Sequence, residues 1–235
     1  MEEKKLLLFD IDGTILTTFG QAKEAFRFAL KEIFGTEGAI DSFSWSGKLD
    51  PVIVFELMRG AGFDENYINK RINDTLRLYE KILEKNIIPE KIIIKEGIKE
   101  ALKELSKDEN LILGLCTGNT PEGARIKLSS VNLYNYFIIG AYGTDGKIRE
   151  ELPPIAKKRA ENYFNLKIKE GNVFVIGDAP ADIISAKANN FRSVAVFSGF
   201  HKKEELAKYN PDLLIENFKI HYDLFLNFIT KNHHF

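Results

Sequence analysis

The chain reads as a doubly wound α/β protein with a mainly parallel, Rossmann-like core sheet and an all-helical cap inserted after the first strand. Three observations predict this. Short, almost unbroken apolar runs recur along the chain, and amphipathic helical patterns separate them. One long interval, from about residue 18 to 89, carries helical periodicity and no strand pattern. Apolar strands alternating with helices indicate a parallel sheet covered on both faces, because a strand buried on both sides has no polar face to show.

The strand runs are Lys5–Phe9, Leu111–Cys116, 137–139, 173–176, 193–197 and Leu213–Ile215, each bounded by turn residues. Helical patterns cover 97–106, 121–131, 154–164, 180–189 and 201–209. Pro121, Pro154 and Pro180 stand at helix starts, where a missing N–H and a fixed φ are tolerated. In the interval without strands, Ala22, Ala25, Phe26, Ala29, Leu30, Ile33 and Phe34 recur at helical spacing, and so do Ile68, Ile72, Thr75, Leu76, Tyr79, Ile82 and Leu83. Residues 1–17 and 90–235 are thus expected to form the core and 18–89 the cap, seated over the first strand's carboxyl end as a lid.

Composition limits the function. The 235 residues carry 33 Lys and Arg against 34 Asp and Glu, so no net field points to nucleic acid or to an anionic membrane. Lys157, Lys158, Arg159, Lys202 and Lys203 stand among glutamates and read as solvated helix faces. Cys116, the single cysteine, leaves no intrachain disulfide possible and no thiol-ligated metal site expected, and reads as a small buried hydrophobe rather than a nucleophile. The amino-terminal apolar run is too short for a signal peptide and no stretch is long enough to span a bilayer, so the expected location is cytoplasmic, with a monomer or homodimer expected. Asn232, His233, His234 and Phe235 read as a frayed tail rather than a metal site.

The chemistry gathers at strand ends. Asp10 and Asp12 follow the first apolar run directly, with Gly13 after them. In open α/β sheets ligands bind at that edge, and ionised groups so near a core need a partner or a cation. The run at 111–116 ends in Thr117, Gly118, Asn119 and Thr120, where a hydroxyl and free N–H groups before a helix make an anion cradle; Thr120 also reads as a plain helix cap. The run at 173–176 ends in Gly177 and Asp178, with Asp182 one helical turn on. Asp10, Asp12 and Asp178 together suit Mg²⁺, which prefers oxygen ligands. A calcium-binding helical loop beginning at Asp10 is rejected: Gly13 is misplaced, Gln21 stands where a glutamate belongs, and a strand precedes it.

In this order the motifs resemble those of the haloacid dehalogenase superfamily of phosphohydrolases, phosphoglycolate-phosphatase-like in outline. The resemblance runs through Asp10–Thr14, Thr117 and 177–182, with a helical cap after the first strand. It implies that Asp10 attacks phosphorus to form an aspartyl-phosphate, while Asp12 protonates the leaving oxygen and then activates water. It implies Mg²⁺ on the Asp10 carboxylate, the Asp12 carbonyl and Asp178, with Asp182 in or near the surrounding layer. Thr117 with the N–H groups of Gly118 and Asn119 would hold a phosphoryl oxygen. An acid at Asp12 favours phosphate esters over carbon–halogen or carbon–phosphorus bonds.

The family's basic residue is usually a lysine before a proline. Here the matching stretch places Arg149 there, with Lys147, Lys157 and Lys158 as neighbours that could serve instead. In the cap, Gly47, Lys48 and Asp50 resemble a Gly-x-x-Asp segment; Gly47 and Lys48 would face the substrate, while Asp50 reads as the N-cap of a helix opened by Pro51. Trp45 and nearby phenylalanines read as cap core. The implied reaction is Mg²⁺-dependent hydrolysis of a small phosphorylated metabolite. A phosphosugar mutase of the β-phosphoglucomutase type would use the same carboxylates, and a non-catalytic binding module is a third reading.

Overall fold

The structure, a computed structural model, describes residues 3–231; the Asn232–Phe235 tail considered above lies outside the described residues. The elements in chain order are β1 (Lys5–Phe9), β2 (Leu16–Thr17), α1 (Gln21–Phe34), α2 (Asp50–Gly60), α3 (Glu65–Asn69), α4 (Ile72–Asn86), β3 (Ile93–Ile94), α5 (Ile98–Leu105), β4 (Leu111–Cys116), α6 (Pro121–Ser129), β5 (Ile139–Ala141), α7 (Leu152–Phe164), β6 (Val173–Gly177), α8 (Pro180–Ala188), β7 (Arg192–Val196), α9 (Lys203–Ala207), β8 (Leu213–Ile215) and α10 (Phe218–Thr230). Six strands form one sheet in the order β5-β4-β1-β6-β7-β8, and every pair is parallel.

Strand alternation divides the core in two. Leu7 and Phe9 of β1 face a layer built from α5, α6 and α10 through Leu102, Leu128 and Phe225. Leu6 and Leu8 face the opposite layer, where Leu152, Ala156 and Ala160 of α7 and Ala186 of α8 cover the sheet. Each strand is therefore buried on both sides, which is why it reads as an unbroken apolar run.

Between β2 and β3 the chain is helical. Phe26, Ala29 and Leu30 of α1, Ile53, Val54 and Leu57 of α2, and Leu76, Tyr79 and Leu83 of α4 share a separate core. Ile126 of α6 joins it, so a core-layer helix contributes to the packing of the insert. β2 and β3 pair antiparallel, Leu16 opposite Ile94 and Thr17 opposite Ile93, forming a two-stranded neck between insert and sheet.

Several boundaries differ from the sequence reading. The strand expected at 137–139 lies at Ile139–Ala141, because Tyr134–Tyr136 forms a 3₁₀ turn before it. The strand expected at 193–197 begins at Arg192 and ends at Val196, and the helix expected over 201–209 is confined to Lys203–Ala207. The neck strands and α10 escaped the reading: two-residue strands carry too little periodicity, and α10 contains a non-helical His221 that breaks its pattern.

Candidate active site

Phe9 stands opposite both Leu115 and Ile176. The chain therefore leaves three adjacent strands side by side, at Asp10 after β1, Thr117 after β4 and Asp178 after β6. Backbone bonds fix the first two: Asp10 N–H donates to the Ile176 carbonyl at 2.9 Å and Thr117 N–H to the Ala141 carbonyl at 3.1 Å. The side chains of Asp10, Thr117 and Asp178 are all buried.

Two cations divide the carboxylates between them. The Arg149 guanidinium, 5% exposed, places Nη2 3.0 Å from Asp10 Oδ1 and 2.6 Å from Asp182 Oδ1, and donates to the Cys116 carbonyl at 3.0 Å. Burial works against that cation, but the charges of Asp182 and Asp10 outweigh it and hold the guanidinium well above its ordinary pKa. The second cation is Lys127 of α6, also buried. Its Nζ lies 2.7 Å from Asp12 Oδ2 and 2.5 Å from Asn119 Oδ1. Asn119 Nδ2 in turn donates to Asp12 Oδ2 at 2.7 Å and to Thr117 Oγ1 at 2.8 Å. Each of the paired acids that follow β1 thus has its own buried positive partner.

A third carboxylate lacks one. Carboxylate oxygens of Asp10, Asp178 and Asp182 all lie within 4.8 Å of one another. Among the described residues, Asp178 accepts only from the Phe200 N–H at 2.7 Å and the Thr14 hydroxyl at 3.3 Å. Burial, and then the Asp10 charge, push Asp178 up to about 8. Burial likewise raises Asp10 to about 6 against the pull of Arg149, with Asp182 and Asp12 adding repulsion. A trio of hard oxygen donors with too little positive charge is a fit for Mg²⁺. Asp178, with no paired cation among the described residues, and Asp10, which shares Arg149, are the carboxylates that would hold it; Asp182 is tied down by Arg149 at 2.6 Å and by the Ala179 N–H at 3.1 Å. The Asp12 carboxylate belongs to the Lys127 pair.

The helical insert is docked over these groups. Asp50 N–H donates to the Gly118 carbonyl at 2.8 Å, and Asp50 Oδ2 accepts from the Thr120 N–H at 2.9 Å. Asp50 therefore does not cap its own helix, whose N-cap is Leu49 without a side-chain bond; it caps the start of α6 across the interface, beside the Thr120 hydroxyl that accepts from Gly123 N–H at 3.0 Å. Burial raises the Asp50 carboxyl to about 7. Gly118 admits no side chain, because a Cβ there would stand 2.0 Å from the Lys48 carbonyl. Gly47, at φ +71°, presses on α8, with a Cβ falling 2.5 Å from that of Ala181. Ser46 Oγ and His201 Nε2 meet at 2.8 Å.

The cavity between insert and sheet edge measures about 440 Å³, within the range of small-molecule sites. All ten residues singled out from the sequence line it or support it: Asp10, Asp12, Thr117, Gly118, Asn119, Arg149, Gly47, Lys48 and Asp178 reach the cavity, and Asp182 orients Arg149 from behind. The Lys48 ammonium is paired with Glu56 at 2.7 Å. The other basic neighbours lie elsewhere: Lys157 pairs with Glu161 and Glu170, and neither Lys147 nor Lys158 lines the cavity. Trp45 does both jobs, packing edge-on against Phe26 at 5.5 Å and lining the cavity. Cys116 is buried and its thiol is pushed up to about 12 by burial, as suits a small hydrophobe.

Lys127, Tyr79, Phe200 and His201 also line the cavity and were not singled out as site residues from the sequence. Lys127 had a legible signal. It falls on the α6 stripe of Thr120 and Gly123, so a lysine stands where helical spacing points into the site rather than to solvent. The other three are brought in by tertiary packing and carry no local mark.

A model of the haloacid dehalogenase-like hydrolases matches residues 7–196. Among curated relatives, PpaX of Caldanaerobacter subterraneus subsp. tengcongensis, whose name describes a pyrophosphatase, is 29% identical over 214 residues, covering 90% of each chain. A phosphoglycolate phosphatase of Photorhabdus laumondii subsp. laumondii is 25% identical over 217 residues, covering 91% of this chain and 89% of its own. A crystal structure of a hydrolase from Pseudomonas syringae shares the fold at a TM-score of 0.71 and 22% identity, covering 97% of this chain and all of that one. No helix among the described residues is long and apolar enough to cross a membrane. With the family match extending over most of the chain, and carboxylates at the strand ends where its motifs lie, the protein belongs to the haloacid dehalogenase-like hydrolases, in the subgroup that resembles the phosphoglycolate phosphatases.

Proposed function

We propose that this phosphatase hydrolyses the phosphomonoester of a small metabolite through an aspartyl-phosphate on Asp10, with Asp12 as acid and base, and that residues 18–89 act as its cap. The observation that carries the reading is the separation of the two acids into two charge systems. Asp10 sits with Arg149 and the unneutralised Asp178; Asp12 sits with Lys127 and Asn119. Adjacent acids with different partners are suited to different roles.

In the first half-reaction an Asp10 carboxylate oxygen forms a bond to phosphorus as the ester P–O bond breaks. The departing oxygen takes its proton from Asp12. In the second, Asp12 removes a proton from water as that water's oxygen attacks phosphorus; the Asp10–phosphorus bond breaks, releasing inorganic phosphate and restoring both carboxyl groups. Lys127 and Asn119 keep Asp12 oriented. Thr117, with the N–H groups of Gly118 and Asn119, supplies neutral donors for a phosphoryl oxygen. Arg149 opposes the charge of Asp10 and Asp182, so that a phosphate dianion can approach an acidic edge. Mg²⁺, held by Asp10 and Asp178, would supply the remaining positive charge against the phosphoryl oxygens.

The test is release of inorganic phosphate from p-nitrophenyl phosphate with and without Mg²⁺. The expected result is Mg²⁺-dependent release by the wild type and none by Asp10→Asn. Equal rates from the two proteins would overturn the reading. Interconversion of glucose phosphate isomers without phosphate release would replace hydrolysis with the mutase reaction.

A further inference from the structure

Every cation that lines the cavity already holds a carboxylate. Lys127 and Arg149 are bound to the catalytic acids, Lys48 to Glu56 at 2.7 Å, and Lys23 to Asp41 at 2.8 Å. The wall contributed by the insert joins aromatic and aliphatic side chains to the polar Ser44, Ser46 and Asp50. Tyr79 stacks on Phe26 with ring centroids 3.9 Å apart and planes inclined by 26°, Trp45 meets Phe26 edge-on, and Ile53 lies beside them. One polar atom of this wall stands apart from the rest. The Tyr79 hydroxyl is fully buried and has no hydrogen-bond partner among the described residues. It stands at the junction of α4 and α6, over Gly123, within the field of the Asp12 and Asp50 carboxylates.

Buried hydroxyls are almost always satisfied. One left unsatisfied beside a ligand cavity marks a place where a ligand atom completes the bond. A carboxylate on the leaving group would meet aromatic faces, Asp50, and ammonium groups whose charge Glu56 and Asp41 already oppose. An uncharged leaving group meets no such obstacle.

Resting on the phosphatase reading above, we infer that the substrate's leaving group is uncharged, lays an apolar face against Phe26 and Trp45, and is read by Tyr79 through a hydrogen bond to a neutral oxygen. Tyr79 is a specificity-determining residue in this assignment and has no part in the bond-making steps. Several relatives are named for phosphoglycolate, whose leaving group carries a carboxylate, so the inference sets this chain apart from them.

The experiment compares kcat/KM with Mg²⁺ on glycerol 1-phosphate and phenyl phosphate, which leave as neutral species, against 2-phosphoglycolate and 3-phosphoglycerate. The neutral pair should be favoured at least tenfold. Tyr79→Phe keeps the ring and removes the oxygen. It should lower kcat/KM on glycerol 1-phosphate about tenfold through KM, the size of one hydrogen bond, and leave phenyl phosphate, whose leaving group has no second oxygen, unchanged. Its thermal midpoint should equal or exceed that of the wild type, which separates recognition from folding. Preference for the carboxylate esters that disappears in Lys48→Met would overturn the inference while leaving the phosphatase reading intact, and so would an equal loss by Tyr79→Phe on both neutral esters. No release above Asp10→Asn on any of the four would overturn both.

Discussion

The two walls of the cavity are built on opposite principles. On the sheet side nearly every polar atom is charged and engaged: Asp10 and Asp182 with Arg149, and Asp12 with Lys127 and Asn119. On the side of the insert Phe26, Trp45, Ile53 and Tyr79 stand beside Ser44 and Ser46, and the Tyr79 hydroxyl has no partner among the described residues. The sheet wall is preorganised for one reaction, since fixed charges act on a developing charge without reorganising. The insert wall carries shape and one buried hydroxyl left unsatisfied, which suits selection among leaving groups rather than their chemistry.

Substitutions test that division from the sheet side first. Asp10→Asn should lower kcat by about 10⁴-fold or more while leaving the fold intact, as read by phosphate release and circular dichroism. Arg149→Met removes one partner of a buried network and leaves Asp10 and Asp182 unneutralised, so unfolding in urea should show a loss of about 3–5 kcal/mol; Arg149→Lys should recover part of it. Lys127→Met should cost about 10²-fold in kcat, the scale of one positioned proton-transfer group, because Asp12 loses the side chain that orients it. If Lys127→Met were silent, the two-system view of the paired acids would fail.

Smaller effects probe the metal and the interface. Mg²⁺ should raise the thermal midpoint of the wild type at pH 8 and leave Asp178→Asn unmoved, because the ion relieves the repulsion that burial imposes on Asp178. The smallest effect concerns Asp50. Its carboxyl is raised from 3.8 to about 7 in the fold, so the folded state binds the proton more tightly than the unfolded chain. That contribution to stability is complete below pH 4 and is lost as pH rises through 7. The difference in thermal midpoint between Asp50→Asn and wild type should therefore shift in favour of the variant between pH 4 and 8. A flat difference would place the Asp50 proton elsewhere.

The sheet wall was largely legible in the sequence. Asp10, Thr117 and Asp178 each follow an apolar run, and chain order alone puts such residues at one sheet edge once the strands are parallel. Arg149 was reached through likeness rather than through a local pattern, and it lies 3.0 Å from Asp10. The insert wall was hardly legible. Tyr79 shares its heptad-like spacing with Leu76 and Leu83, and periodicity cannot distinguish a core aromatic from one bordering a cavity. Asp50 was placed as the cap of its own helix because Pro51 follows it; the structure turns it across the interface to Thr120.

By itself the sequence determined the strand and helix alternation, the position of the helical insert and the acids that end β1 and β6, because all of these are written in local periodicity and in the cost of burying unpaired charge. Only the tertiary structure decided which cation belongs to which acid, that Lys127 stands beside Asp12, and that Tyr79 keeps an unsatisfied hydroxyl. Those outcomes depend on side chains from distant segments meeting across the sheet edge, and no spacing along the chain encodes such a meeting.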